Sequence, residues 1–84
     1  MHEKFETTDV NLATTIVATI GAPLVLLDRS DSLRLVFAFN KEDVPEEFVE
    51  AYWNGQLRVE PMIFVAAQRY LSRRIQEGPI GEAE

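Results

Sequence analysis

The sequence predicts an α+β fold, a small single-layer antiparallel sheet of about three strands in the order β-α-β-β-α-α, with helices packed on one face. The first indication is residues 10–27, an uncharged stretch that a Gly-Ala-Pro break divides into a helical and an extended part. The second is residues 33–40, where apolar side chains recur at every second position, as in a strand with one buried face.

The first half of the chain begins with a predicted edge strand over residues 4–8, followed by a helix. Asp9, or Thr8 before it, offers a side-chain oxygen that caps a helix over residues 10–20, and Gly21 ends that helix. The uncharged stretch is too interrupted to predict a membrane span. Its polar or helix-breaking residues are Asn11, Thr14, Thr15, Thr19, Gly21 and Pro23.

Residues 24–27 are apolar on both faces, which is typical of a central strand or of a strand that a partner covers. The polar residues 28–32 favour a turn, so this strand and the strand over residues 33–40 are expected to form an antiparallel hairpin. A right-handed crossover from the first strand then places the third strand in the middle of the sheet.

Two acid-proline signals predict the remaining helices. The first helix begins at Pro45 and runs to Trp53 or Asn54, and the second spans residues 61–76. The apolar residues of the second helix form an inner line with two flanks. The inner line is Phe64, Ala67, Leu71 and Ile75, and the flanks hold Ile63, Ala66 and Tyr70.

The composition predicts one globular domain over residues 1–78 and a flexible acidic tail over residues 79–84. A net charge of −6 disfavours overall attraction to polyanions or anionic membranes. The chain has no cysteine and no recognisable targeting signal, so we expect a cytoplasmic protein without a cofactor.

The residue pattern predicts no catalytic and no metal site, and therefore a protein that is not an enzyme. His2, the single histidine, stands at the chain start, away from other ligand types. None of the serines has a sequence neighbour that would activate it. The acids at Glu46, Glu47 and Glu50 are explained by the dipole of the helix that they begin.

Several short motifs together resemble an uncharacterised family of small phage and prokaryotic domains. They are Phe5-x-Thr7-x-Asp9 before the first helix, Tyr52-Trp53-Asn54-Gly55, and Val59-Glu60-Pro61 before the last helix. The resemblance extends over residues 5–75. It implies the same element boundaries and a phage or mobile-element setting, and it brings no activity with it.

The pattern favours a protein-interaction or assembly module, either self-associating or part of a larger assembly. The first helix has an outer face without charge, which suits close packing against a partner or a second copy, although a helix of the same chain could also cover it. Tyr52 and Trp53 are adjacent, so one is expected to enter the core and the other to lie at its edge or bind a partner. The candidate partner-binding residues are Thr14, Thr15, Thr19, Tyr52 and Trp53.

Two alternative functions remain open at the level of sequence. A basic cluster could contact nucleic acid, or it could pair with the acidic second helix of the same chain. The cluster consists of Arg58, Arg69, Arg73 and Arg74. The acidic balance of the chain also suits an inhibitor that mimics nucleic acid.

Overall fold

The structure, a computed structural model, describes residues 3–28 and 34–77, and in these residues it confirms the predicted α+β fold. Three strands and three α-helices follow one another in the predicted order across this part of the chain. With one 3₁₀ helix between β3 and α2, the elements are β1 (Lys4–Thr7), α1 (Val10–Thr19), β2 (Leu26–Asp28), β3 (Val36–Asn40), the 3₁₀ helix (Lys41–Asp43), α2 (Glu46–Trp53) and α3 (Pro61–Glu77).

The sheet has the order β1-β3-β2 with both pairs antiparallel, so the third strand lies in the middle as predicted. In the register, Phe5 is opposite Phe39, and Phe37 is opposite both Thr7 and Leu27. Side chains at these positions share one face of the sheet because successive strand residues alternate between faces. Phe37 and Phe39 are fully buried there under the helices.

Residues 24–27 do not form a central strand, and that interpretation is wrong. β2 begins only at Leu26 and lies at one edge, because β3 pairs with β1 on its other side. The backbone N–H of Val25 still donates to the carbonyl of Ala38 at 2.9 Å, so the contact extends one residue before β2. The apolar character has another cause, since Leu24 and Leu27 are both buried in the core.

The predicted strand over residues 33–40 is shorter in the structure, where β3 begins at Val36. Arg34 and Leu35 are described without strand pairing. The turn residues 29–32 and residue 33 lie outside the described residues, as do residues 78–84 with the predicted acidic tail.

Local signals set the ends of α1. Asp9 is the N-cap, as one of the two predicted alternatives, and its Oδ1 accepts from the backbone N–H groups of Asn11 and Leu12 at 2.9 and 3.2 Å. Asp9 is itself held by its own N–H, which donates to Oγ1 of Thr7 at 3.0 Å. Gly21 follows the helix with φ of +76°, a left-handed conformation that favours glycine.

The helices α2 and α3 start and stop close to the predicted residues. Pro45 is the N-cap of α2, and Gly55, with φ of +70°, follows the end of that helix. Oε1 of Glu60 accepts from the N–H of Ile63 at 3.0 Å and so caps the first turn of α3. α3 reaches Glu77, one residue beyond the prediction.

The core lies between the sheet and the layer of helices, where α1 packs against β1 and α3. It contains buried residues of α1, β2, β3, α3 and the segments between them, and Phe5 of β1 packs against it. Its buried members are Leu12, Ala13, Ile16, Ala22, Leu24, Leu27, Phe37, Phe39, Val44 and Leu71. Of the helices in the described ranges, none combines the length and the apolar character needed to cross a membrane.

Candidate interaction surface

The structure places Thr14 and Thr15 inside the protein, so the prediction that they lie on an outer face is wrong. Their side chains are 2% and 5% exposed. Each hydroxyl donates to a carbonyl of the preceding turn at 2.7 Å, Thr14 to Val10 and Thr15 to Asn11. Because these bonds satisfy the hydroxyls locally, the threonines can be buried at little cost. Thr19 remains exposed, with its hydroxyl on the carbonyl of Thr15.

α1 packs against α3 on the side of Thr14, and the two helices run antiparallel. Val10 near the start of α1 shares a depression with Ile75 near the end of α3. At the opposite end of the pair, the last turns of α1 and the first turns of α3 border a shallow groove of about 310 Å³, called here the α1–α3 groove. Its lining residues are Val17, Ala18, Ile63, Ala66, Ala67 and Tyr70.

The α1–α3 groove is apolar and uncharged. Its one side-chain polar group is the Tyr70 hydroxyl, which accepts from the backbone N–H of Leu24 at 3.3 Å. The predicted flank residues Ile63 and Ala66 are exposed rather than packed inward, because only the neighbouring line with Ala67 and Leu71 points between α1 and the sheet. The groove therefore presents surface for apolar contact.

Large apolar side chains are exposed both in the groove and elsewhere on the helices. Met62 and Ile63, in the first turn of α3, are 66% and 51% exposed, and Trp53 at the end of α2 is 62% exposed. Met62 was not among the residues predicted from the sequence. The sequence does contain a signal for its exposure. Met62 lies four residues before Ala66, so both side chains are on one helix face, outside the inner line of α3.

Tyr52 and Trp53 occupy adjacent helix positions, so one side chain faces the core and the other faces solvent. Tyr52 packs against the core, and its hydroxyl donates to Oδ2 of Asp9 at 3.4 Å. Burial raises the pKa of Tyr52, and the negative charge of Asp9 and the hydrogen bond to it raise the pKa further. The ring of Trp53 meets that of Tyr52 edge to face, with centroids 4.9 Å apart, and its remaining surface faces solvent.

The four arginines do not form one basic surface. Arg58 donates through Nη1 to the carbonyls of Gly55 and Leu57, at 3.2 and 3.0 Å, and so closes the loop before α3. Arg74 lies over the ring of Tyr70, and its Nε is 3.6 Å from Oε1 of Glu77.

Arg69 and Arg73 are the two exposed arginines on one face of α3. In the described ranges neither has an ion pair, so the pairing with the acidic helix of the same chain does not occur there. Of the four candidate arginines, these two have no hydrogen bond or ion pair within the described ranges.

The acids of α2 are also separate from any metal-binding arrangement. Glu46, Glu47 and Glu50 are exposed, and the first two stand in the first turn, where the helix dipole favours carboxylates. Across residues 3–28 and 34–77, no group of three or more His, Cys, Asp or Glu side chains could hold a metal ion. His2 lies outside these ranges.

In comparisons with known proteins, no family model matches this chain, and neither a curated protein nor a solved structure is similar enough to match. The resemblance to small phage and prokaryotic domains therefore stays a prediction from sequence motifs. The geometry of the α1–α3 groove and its surroundings is the basis for a functional proposal.

Proposed function

We propose that this chain is a non-enzymatic protein-interaction or assembly module that binds through the α1–α3 groove and through large apolar side chains exposed elsewhere on its helices. The observation that carries the proposal is the exposure of Met62, Ile63 and Trp53, each more than half accessible. Large apolar side chains that stay exposed on a small domain mark a contact site, and tryptophan and methionine are enriched at interfaces.

Charge supports the same function. α1 and the first half of α3, residues 61–68, contain no charged residue, although the whole chain carries −6. A partner that covers this surface has no charge to desolvate, so apolar burial is not offset by an ionic penalty. Ala18 and Ala66 are small, which lets another backbone approach the groove closely.

Photo-crosslinking tests this function directly. A photoreactive amino acid at Met62 is expected to crosslink to protein in an extract of the source cells, whereas the same group at Gln76, exposed near the far end of α3, is not. Ile63→Asp, which places a charge in the groove, should remove the Met62 product. Equal crosslinking from both positions, or a Met62 product that survives Ile63→Asp, would contradict the proposal.

A further inference from the structure

Two exposed stripes on the helices are complementary to each other. On α2, Glu46, Glu50 and Trp53 follow one another at i, i+4 and i+7 and are all exposed; we call them the α2 stripe. On α3, Ala66, Arg69 and Arg73 stand at i, i+3 and i+7 and are likewise exposed; these form the α3 stripe. One stripe is acidic with an apolar end, and the other is basic with an apolar end.

The spacing of the two stripes matches when the helices run antiparallel. Glu50 and Glu46 lie three and seven residues before Trp53, and Arg69 and Arg73 lie three and seven residues after Ala66. At about 1.5 Å of rise per residue, the two charged residues of each stripe therefore lie about 4.5 and 10.5 Å along the helix axis from the apolar residue at its end.

Antiparallel docking therefore brings three contacts into register at once. With Trp53 on Ala66, where the small side chain leaves room for the indole, Glu50 is level with Arg69 and Glu46 is level with Arg73. The exposed Met62, one turn before Ala66, extends the apolar end beneath the tryptophan. Antiparallel helices also bring opposite ends of their dipoles together.

Within one chain this pairing is not made. All six residues of the two stripes are exposed, and across the described ranges none of the four charged ones has an ion pair. The same chain nevertheless carries both halves of the contact, so the partner that fits each stripe is a second copy.

We propose that this protein self-associates by docking the α2 stripe of one copy on the α3 stripe of another. The inference rests on the proposed interaction function and names its partner. Because each copy carries both stripes, the contact closes when two copies exchange it reciprocally and propagates when they do not.

Charge reversal with rescue tests this pairing. The wild-type chain should show, by light scattering after size exclusion, a mass above that of one chain that rises with concentration. Arg69→Glu with Arg73→Glu should reduce it to one chain, and so should Glu46→Arg with Glu50→Arg, because each variant opposes like charges. An equimolar mixture of the two variants should recover the wild-type mass, and so should one chain with all four reversals.

Matched control variants distinguish the effect of the stripe contacts from the effect of a changed net charge. Glu3→Arg with Glu47→Arg, and Lys4→Glu with Arg58→Glu, alter exposed charges by the same amounts away from the stripes and should leave the mass unchanged. Circular dichroism of every variant should show the wild-type helix content, so that a change in mass cannot be ascribed to unfolding.

Several results would overturn self-pairing. They are a wild-type chain that stays monomeric at every concentration, stripe variants that keep the wild-type mass, and a mixture that stays monomeric. A monomer that still crosslinks from Met62 to a different protein would remove the second copy as partner while retaining the interaction function. DNA binding that is lost in Arg69→Glu/Arg73→Glu, with no mass above one chain, would instead assign these arginines to nucleic acid.

Discussion

The hydroxyl of Tyr52 donates to Oδ2 of Asp9 at 3.4 Å, while Oδ1 of the same carboxylate caps α1. One carboxylate thus serves the first turn of α1 and a side chain from α2 that is 43 positions away in the sequence. The local bond and the long-range bond share an acceptor group, so the placement of α2 is coupled to the start of α1.

Asp9→Ala is expected to lower the free energy of unfolding by about 1 kcal/mol, because two backbone N–H groups lose their acceptor. Asp9→Asn keeps a side-chain oxygen at the cap and should remain close to the wild type. Urea denaturation followed by circular dichroism measures both changes. Equal losses for the two variants would show that the charge of Asp9, and not its capping oxygen, carries the effect.

The contribution of Tyr52 should vanish at high pH. Its pKa in the folded protein is raised above the ordinary value of 10.0, so the neutral phenol is favoured by folding. Below pH 10 both folded and unfolded chains keep the proton and the contribution is fully present. As the pH rises through the folded pKa the contribution is lost, because the unfolded chain ionises first.

Tyr52→Phe cannot ionise and is the reference for this effect. The difference in free energy of unfolding between the wild type and Tyr52→Phe should stay constant from pH 7 to about pH 9.5 and shift against the wild type above about pH 10. Denaturation curves at a series of pH values provide the measurement. A difference that does not depend on pH across this range would rule out the raised pKa.

Thr15→Arg should unfold or strongly destabilise the protein, by about 3 kcal/mol or more, because position 15 is 5% exposed and would have to bury a charge. Thr19→Arg, one turn later at an exposed position, should change the free energy of unfolding by less than about 0.5 kcal/mol. Thermal melting of the two variants makes the comparison. A stable Thr15→Arg would restore the outer-face interpretation of the threonines.

Truncation of two aliphatic side chains on α3 should affect different properties, stability at Leu71 and binding at Ile63. Leu71→Ala is expected to cost about 2–5 kcal/mol, since Leu71 is 1% exposed and its removal leaves a cavity in the core. Ile63→Ala, at 51% exposure, should cost under about 1 kcal/mol and should weaken binding through the α1–α3 groove instead. Chemical denaturation combined with the crosslinking yield separates stability from binding.

Most element boundaries could be predicted because they depend on short-range rules. Asp9 caps α1 with its own side chain, and Gly21 adopts a left-handed conformation wherever the next element lies. The strand around Phe37 is recognisable because its alternation follows from backbone geometry alone. The 3₁₀ helix Lys41–Asp43 carried no such signal and was not predicted.

The candidate site depended on information that no local pattern holds. Thr14 and Thr15 are polar, so their sequence suggested a surface; both are buried in a fold where α1 packs against α3, more than 45 residues later. Tyr52 and Trp53 each have an apolar residue four positions earlier, so the sequence does not distinguish them. Only the position of Asp9 and the core decides which ring turns inward. The same applies to Met62, which the fold leaves 66% exposed in the first turn of α3.

The sequence by itself determined the α+β class, the order of the elements and the antiparallel sheet with its third strand in the middle, because capping, glycine stops and hydrophobic periodicity act over a few residues. Only the tertiary structure decided which faces of α1, α2 and α3 remain exposed. Burial is a property of contacts between elements distant in the chain, and it leaves Trp53, Met62 and Ile63 at the surface.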